Sequence, residues 1–143
     1  MALMQLIYMS TLEPVAVPEL PQIVERSARR NADHGVTGML LFSGGSVMQV
    51  LEGEGDVLAA TFARIEKDIR HCDVFLLRQE PISTRQFSSW SMGYLHLTGV
   101  DLARSPMAAE IFHCTPKEVA RRGQPGDALA VLLSFSSGSL GIR

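Results

Sequence analysis

The chain has no excess of positive charge: 13 Lys and Arg stand against 15 Asp and Glu, for a formal net charge of -2. Without a broad positive field it is not expected to bind nucleic acid. Its two cysteines, Cys72 and Cys114, are far apart and form no CxxC pair, and its first residues lack the charged-then-apolar pattern of a secretory leader. A reducing cytoplasm is the expected location. Long apolar runs are missing too. Stretches such as Val36 to Phe42 and Ala128 to Leu133 fall well short of the roughly 18 to 20 residues needed to cross a bilayer, so no membrane association is expected. His34, His71, His96 and His113 show no metal-ligand spacing and no G-x-S-x-G elbow is present, which leaves metal-centred and serine-hydrolase chemistry without a motif. At 143 residues the chain is long enough to bury the core of one domain and short for two.

What is present reads as alternating strands and helices. Met4 to Ser10, with aromatic and β-branched members and a polar Thr11–Pro14 end, predicts a first strand. From Leu20 the period changes: Leu20, Ile23, Val24, Ser27, Ala28 and Asn31 fall on one face of a helix, with Glu25, Arg26, Arg29 and Arg30 mostly on the other, and Gly35 ends it. Val36–Phe42 and Val47–Leu51 flank Ser43-Gly44-Gly45-Ser46, the pattern of a hairpin. Asp56 is placed to cap a second helix over about Val57 to Arg70. Val74–Leu77 and Trp90–Leu97 supply two more strands. The order is β-α-β-β-α-β with an added fifth strand, an α+β, ferredoxin-like core carrying both helices on one sheet face.

From Asp101 the signals are helical. Ser105-Pro106 pairs an N-cap with proline at N1, and Thr115-Pro116-Lys117-Glu118 adds a capping box, predicting two short helices of which the second ends at Gly123. Asp127 can cap a third, with Leu129, Leu132 and Leu133 on one face. The third strand carries apolar side chains at both parities, Met48 and Val50 against Val47 and Leu51, as a strand covered on both sides does. The division expected is therefore a core over 1–97 and a helical extension over 98–143 packed on the other face of the sheet.

Several polar groups stand where apolar ones are expected, and burying one without a partner costs about 1 to 3 kcal/mol. Ser27 and Asn31 lie on the apolar stripe of the first helix, and Gln49 in the middle of the twice-covered strand. Arg64, Asp68 and His71 run i, i+4, i+7 beside the apolar Leu58, Phe62, Ile65 and Ile69 of the second helix, and Tyr8 sits mid-strand with a phenol that needs a partner once buried. Each has an ordinary alternative: Asn31 as a helix C-cap, Arg64 and Asp68 as a solvated salt bridge, Tyr8 as core packing. Together they converge on the crevice between the helices and the sheet, a site for a flat ligand with polar edges.

The same residues carry a family resemblance. Leu6-Ile7-Tyr8-Met9-Ser10, Asn31 followed by Val36-Thr37-Gly38-Met39-Leu40-Leu41, Gln49-Val50-Leu51-Glu52-Gly53, Ile65-Glu66-Lys67-Asp68-Ile69-Arg70-His71 and Arg85-Gln86-Phe87-Ser88-Ser89-Trp90-Ser91-Met92-Gly93 follow in order. This set resembles the BLUF family of blue-light sensors that use FAD. Any one block is weak; the ordered set is specific. The resemblance implies that Tyr8 is the light-driven electron and proton donor, that Gln49 bridges it to the flavin ring, and that Asn31 holds the ring's polar edge. It implies that Arg64 and Asp68 lie near the pyrimidine side, Arg70 and His71 toward the ribityl and phosphate part, and Trp90 and Met92 beside Gln49 as the signal relay, with Ser10 and Ser27 completing the hydrogen-bond shell. The chain departs from the family pattern in Val47-Met48, where many members carry an aromatic residue just before the glutamine, and in a loop before the first helix that is one residue shorter.

The implied cofactor is FAD, with FMN or riboflavin as further flavins, and the implied activity is sensing without turnover of a substrate. Nothing in the sequence resembles a cyclase, phosphodiesterase or DNA-binding segment, so the signal is expected to pass to a separate effector protein or through self-association as a homo-oligomer. Two other functions fit the fold: a flavin-free interaction module, and a small ferredoxin-fold enzyme that cleaves phosphate. The second lacks an anion nest, since the glycine tetrad is accounted for by the hairpin.

Overall fold

A computed structural model of the chain describes residues 2–122, 125–136 and 140–142. Its first strand, β1 (Leu3–Leu12), leads through a 3₁₀ segment (Pro14–Glu19) into helix α1 (Leu20–Asp33), then the hairpin β2 (Thr37–Ser43) and β3 (Ser46–Glu54), helix α2 (Gly55–Glu66), and strands β4 (His71–Pro81) and β5 (Met92–His96). Four short helices follow, α3 (Gly99–Arg104), α4 (Pro106–Phe112), α5 (Pro116–Arg122) and α6 (Pro125–Ser136), and a last strand β6 (Leu140–Ile142). The strands form one sheet in the order β4-β1-β3-β2-β5-β6; β5 runs parallel to β2 and every other pair is antiparallel. The expected α+β core is thus observed, widened by β6.

Two apolar layers cover the sheet. On one face Leu6, Tyr8, Leu12, Leu40, Val47 and Leu51 pack with Leu20, Val24 and Ala28 of α1 and Leu58 of α2. On the other, Ile7, Met9, Met39, Leu41, Met48 and Val50 form a second cluster with Ile111 and Phe112 of α4 and Val131 and Leu132 of α6. β3 contributes to both, as its double-parity pattern predicts. The Ser43–Ser46 turn has positive φ at Gly44 (58°) and Gly45 (85°), the two-residue geometry that matches strand twist. Gly38 is fixed for another reason: a Cβ there would lie 2.0 Å from the Val50 carbonyl oxygen.

Several boundaries differ from expectation. Helix α2 stops at Glu66 rather than Arg70. The Asp68 carboxylate accepts from the Arg70 backbone N–H (2.9 Å), a local side-chain bond that competes with helix continuation. Its N-cap is Glu54, whose carboxylate accepts from the Asp56 N–H, so Asp56 lies in the first turn. Strand β4 begins at His71, which pairs with Leu12, and a register shift with Asp73 at φ 52° bends it near that start. In the tail, the Ser105 cap and the Thr115–Glu118 capping box form as expected. An additional helix, α3, starts from a Thr98–Asp101 capping box. Asp127 lies within the first turn of α6 instead of capping it, and α6 buries Ala128, Val131 and Leu132 while Leu133 is exposed. The expected end at Gly123 falls outside the described residues.

Candidate functional site

The register of β1 on β3 sets Tyr8 directly opposite Gln49. Both side chains leave the sheet toward α1 and α2, and both are buried. The Tyr8 hydroxyl donates to Gln49 Oε1, which orients the amide so that its Nε2 donates to Met92 Sδ at 3.1 Å. Phenol, amide and thioether thus form a continuous chain from β1 across β3 to β5. Burial pushes the Tyr8 phenol pKa well up from its ordinary value, and the nearby Asp68 charge adds to this, so the hydroxyl is held protonated. The ring packs against Phe62 of α2 with centroids 5.7 Å apart.

These groups form the floor of a cleft of about 830 Å³, part of it open to solvent, between the sheet and the two helices. Asn31 lies in its wall, where its Nδ2 donates to the Ser91 carbonyl at 2.9 Å. The helix-end role also exists, but through the backbone: the Asn31 carbonyl accepts from His34 and Val36 N–H groups. The Asn31 side-chain oxygen has no hydrogen-bond partner among the described residues, although the residue is only 4% exposed. A buried acceptor left open at the cleft wall fits a ligand with a donor on its edge.

Ser27, Arg64, Asp68, Arg70 and His71 line the same cleft. The expected helical stripe of Arg64, Asp68 and His71 is not what gathers them, because α2 has ended before Asp68. Asp68 pairs with Arg70, not Arg64, through contacts of 2.9, 3.0 and 2.5 Å, and this guanidinium holds the Asp68 carboxyl below the usual range. Arg64 is exposed and makes no ion pair among the described residues. Ile69, expected on the apolar face of a longer helix, is 91% exposed. His71 is fixed from both sides: Nε2 donates to the Ile65 carbonyl at 2.5 Å, and Nδ1 then accepts from the Ser10 hydroxyl at 2.9 Å. Ser10 therefore supports the cleft through His71 and does not line it. Trp90 is not among the lining residues; Met92 is, and it accepts from Gln49.

Sequence reasoning missed Arg30 and Thr61, both in the cleft wall. The helical pattern groups Arg30 with the polar face of α1, yet Ile23, Ser27 and Arg30 are spaced i, i+4, i+7 and share the cleft edge.

The sequence profile described as "BLUF: Sensors of blue-light using FAD" matches residues 3–93. The chain belongs to the BLUF family. It is 35% identical over 80 residues to the photoactivated adenylate cyclase subunit beta of Euglena gracilis, a match spanning 55% of this chain and 9% of that protein. It is 32% identical over 88 residues to the blue light- and temperature-regulated antirepressor BluF of Escherichia coli (strain K12), over 61% of this chain and 22% of the relative. Both relatives are thus several times longer than the region they share with it. Among solved structures, the dark state of the BLUF protein BlrB superposes with a TM-score of 0.68 at 31% identity, covering 89% of this chain and 96% of that one. BLUF domains bind flavin, and the cleft here fits one: apolar walls for a planar ring, Gln49 and the open Asn31 oxygen for its polar edge, and Arg30 and Arg64 at the rim. No helix among the described residues is long and apolar enough to cross a membrane.

Proposed function

We propose that this chain is a non-enzymatic blue-light receptor in which Tyr8 and Gln49 form the photochemical pair, Met92 and Trp90 relay the change, and the signal passes to a separate protein. The carrying observation is the Tyr8–Gln49–Met92 hydrogen-bond chain, which joins a buried phenol to a strand on the way to the tail. Bound flavin, expected to be FAD with FMN or riboflavin also accommodated, supplies a blue-light-excited oxidant. Asn31, Gln49, Ser27, Arg64, Asp68, Arg70 and His71, with Tyr8, are the residues that would hold it. Tyr8 keeps its proton at the hydroxyl oxygen and presents it to Gln49 Oε1.

Gln49 is the group that can switch. Turning its amide over exchanges oxygen and nitrogen: Nε2 then meets the Tyr8 oxygen, which can accept, while Oε1 meets Met92 sulfur, which has no proton to donate. The Met92 contact is lost in one arrangement and present in the other. A single hydrogen bond is worth about 0.5 to 1.5 kcal/mol net, enough to move a two-state element by up to roughly tenfold. We infer that residues 1–97 act as the sensor and 98–143 as the output surface, in a cytoplasmic, self-associating protein with an effector in trans. The name of the Escherichia coli relative, an antirepressor, supports output through another macromolecule. An absorption spectrum before and after blue light tests the reading: a flavin band that moves to the red supports it, and a colourless protein that cannot be reconstituted refutes it.

A further inference from the structure

Two of the motifs that carry the family resemblance, Gln49–Gly53 and Arg85–Gly93, meet a second time on the far side of the sheet, through residues the photochemical reading leaves without a role. Glu52 follows Gln49 by three positions on β3, so its side chain leaves by the opposite face, with Met48 and Val50, under the tail helices. Glu52 and its register partner Gln5 are both 0% exposed. The Glu52 carboxylate makes no ion pair among the described residues. N–H groups hold it instead: Oε1 accepts from the backbone of Gln86 (2.9 Å) and Phe87 (2.7 Å), and Oε2 accepts from Gln5 Nε2 (2.8 Å). Gln5 also donates to Gln86 Oε1 at 2.9 Å and accepts from Arg78 Nε at 2.9 Å.

The segment that Glu52 grips passes from one face of the sheet to the other. Phe87 is buried in the tail-side cluster that includes Ile111 and Phe112. Five residues later the same chain reaches the cleft, where Ser91 accepts from Asn31 and Met92 from Gln49. Residues 86–92 are therefore pinned at one end by a buried carboxylate on the tail side and at the other by the two amides of the cleft. An unpaired buried carboxylate is an unfavourable way to fill a core, and here its acceptor capacity is directed mainly at two consecutive amides of this one segment.

We propose that Glu52 is a positioning residue for signalling: its carboxylate latches residues 86–87 and so holds taut the segment through which a change at Gln49 and Met92 reaches the tail helices. The direction of the signal rests on the photosensor reading; the latch itself is a property of the dark protein.

The test is hydrogen exchange on the full-length, flavin-loaded protein, comparing wild type with Glu52→Gln and Glu52→Asp. A glutamine at 52 keeps one oxygen for the Gln86 and Phe87 N–H groups, but it is uncharged and its NH2 then meets the Gln5 NH2, so both amides lose a charge-assisted acceptor and are expected to exchange at least tenfold faster in the dark, with aspartate restoring part of the protection. Flavin occupancy and the size of the red shift are expected to match wild type in Glu52→Gln, while dark recovery changes at least threefold. Unchanged exchange at residues 86–87 together with unchanged recovery would overturn the latch. If Glu52→Gln does not fold, Glu52→Asp decides: its shorter side chain should leave the Gln86 and Phe87 amides at least threefold less protected in the dark than in wild type, and equal protection would overturn the proposal. A wild type without any red shift defeats the photosensor reading, and dark exchange in Glu52→Asp still decides the latch.

Discussion

Replacing Tyr8 with phenylalanine removes one oxygen and leaves nearly everything else in place. The ring keeps its contact with Phe62, 5.7 Å away centroid to centroid, and its place in the apolar layer beneath α1 and α2. What is lost is the donor to Gln49 Oε1. Because Gln49 is only 5% exposed, that oxygen gains little from water, and leaving it unpaired costs about 1 to 3 kcal/mol. Part is recovered because the bare phenol no longer has to be buried, so a net loss of about 1 kcal/mol in unfolding free energy is expected, read by urea titration. The effect on photochemistry is of another order. A phenylalanine ring has no proton to give and is far harder to oxidise, so light-minus-dark spectroscopy should show flavin still bound and no red-shifted product. A normal red shift in Tyr8→Phe would refute the assignment of Tyr8 even with the cofactor present.

Gln49→Leu should behave in the same way, with flavin retained and the red shift absent, checked in the same spectra. Asn31→Ala should lower the flavin-to-protein ratio, because it removes both the open acceptor at the cleft wall and the 2.9 Å bond to Ser91, a loss of about 1 to 3 kcal/mol in binding; full occupancy would return Asn31 to a capping role. Met92→Ala and Trp90→Ala should keep a red-shifted product and change its lifetime, with the larger change at Met92, which touches Gln49; loss of the shift in Met92→Ala would undo the division between photochemical pair and relay. Truncation after Leu97 uncovers the apolar layer packed by Ile111, Phe112, Val131 and Leu132, worth about 6 kcal/mol or more at 1.5 to 3 kcal/mol per side chain, so a shortened chain with unchanged melting temperature and oligomeric state would show that the tail does not stabilise the core.

The fold was legible where periodicity and turn chemistry agree. The α1 stripe, the glycine hairpin and the two-sided strand β3 each follow from a pattern of several residues, and the tail caps at Ser105 and Thr115 follow from local hydrogen bonding. The end of α2 was not legible, because apolar Ile69 and polar Asp68 and His71 continue a helical period that the Asp68–Arg70 contact interrupts. The site survived that error: the residues expected on one helical stripe reach the cleft from a helix, a turn and a strand start instead. Strand β6 gave little signal, since Leu140–Ile142 is three residues long beside glycine and serine. Glu52 carries a signal beyond its motif, because a carboxylate in a strand covered on both faces is out of place in the same way as Gln49.

The central claim is that light rearranges the hydrogen bonds of Gln49 beside a flavin that is not consumed. The most direct test is the absorption spectrum of the purified full chain in the dark, during blue illumination and after return to darkness. The account predicts an oxidised flavin band that moves slightly to the red under light and returns fully in the dark. A band that bleaches to a persistent reduced or thiol-adduct spectrum, or one that does not respond to light, would contradict it.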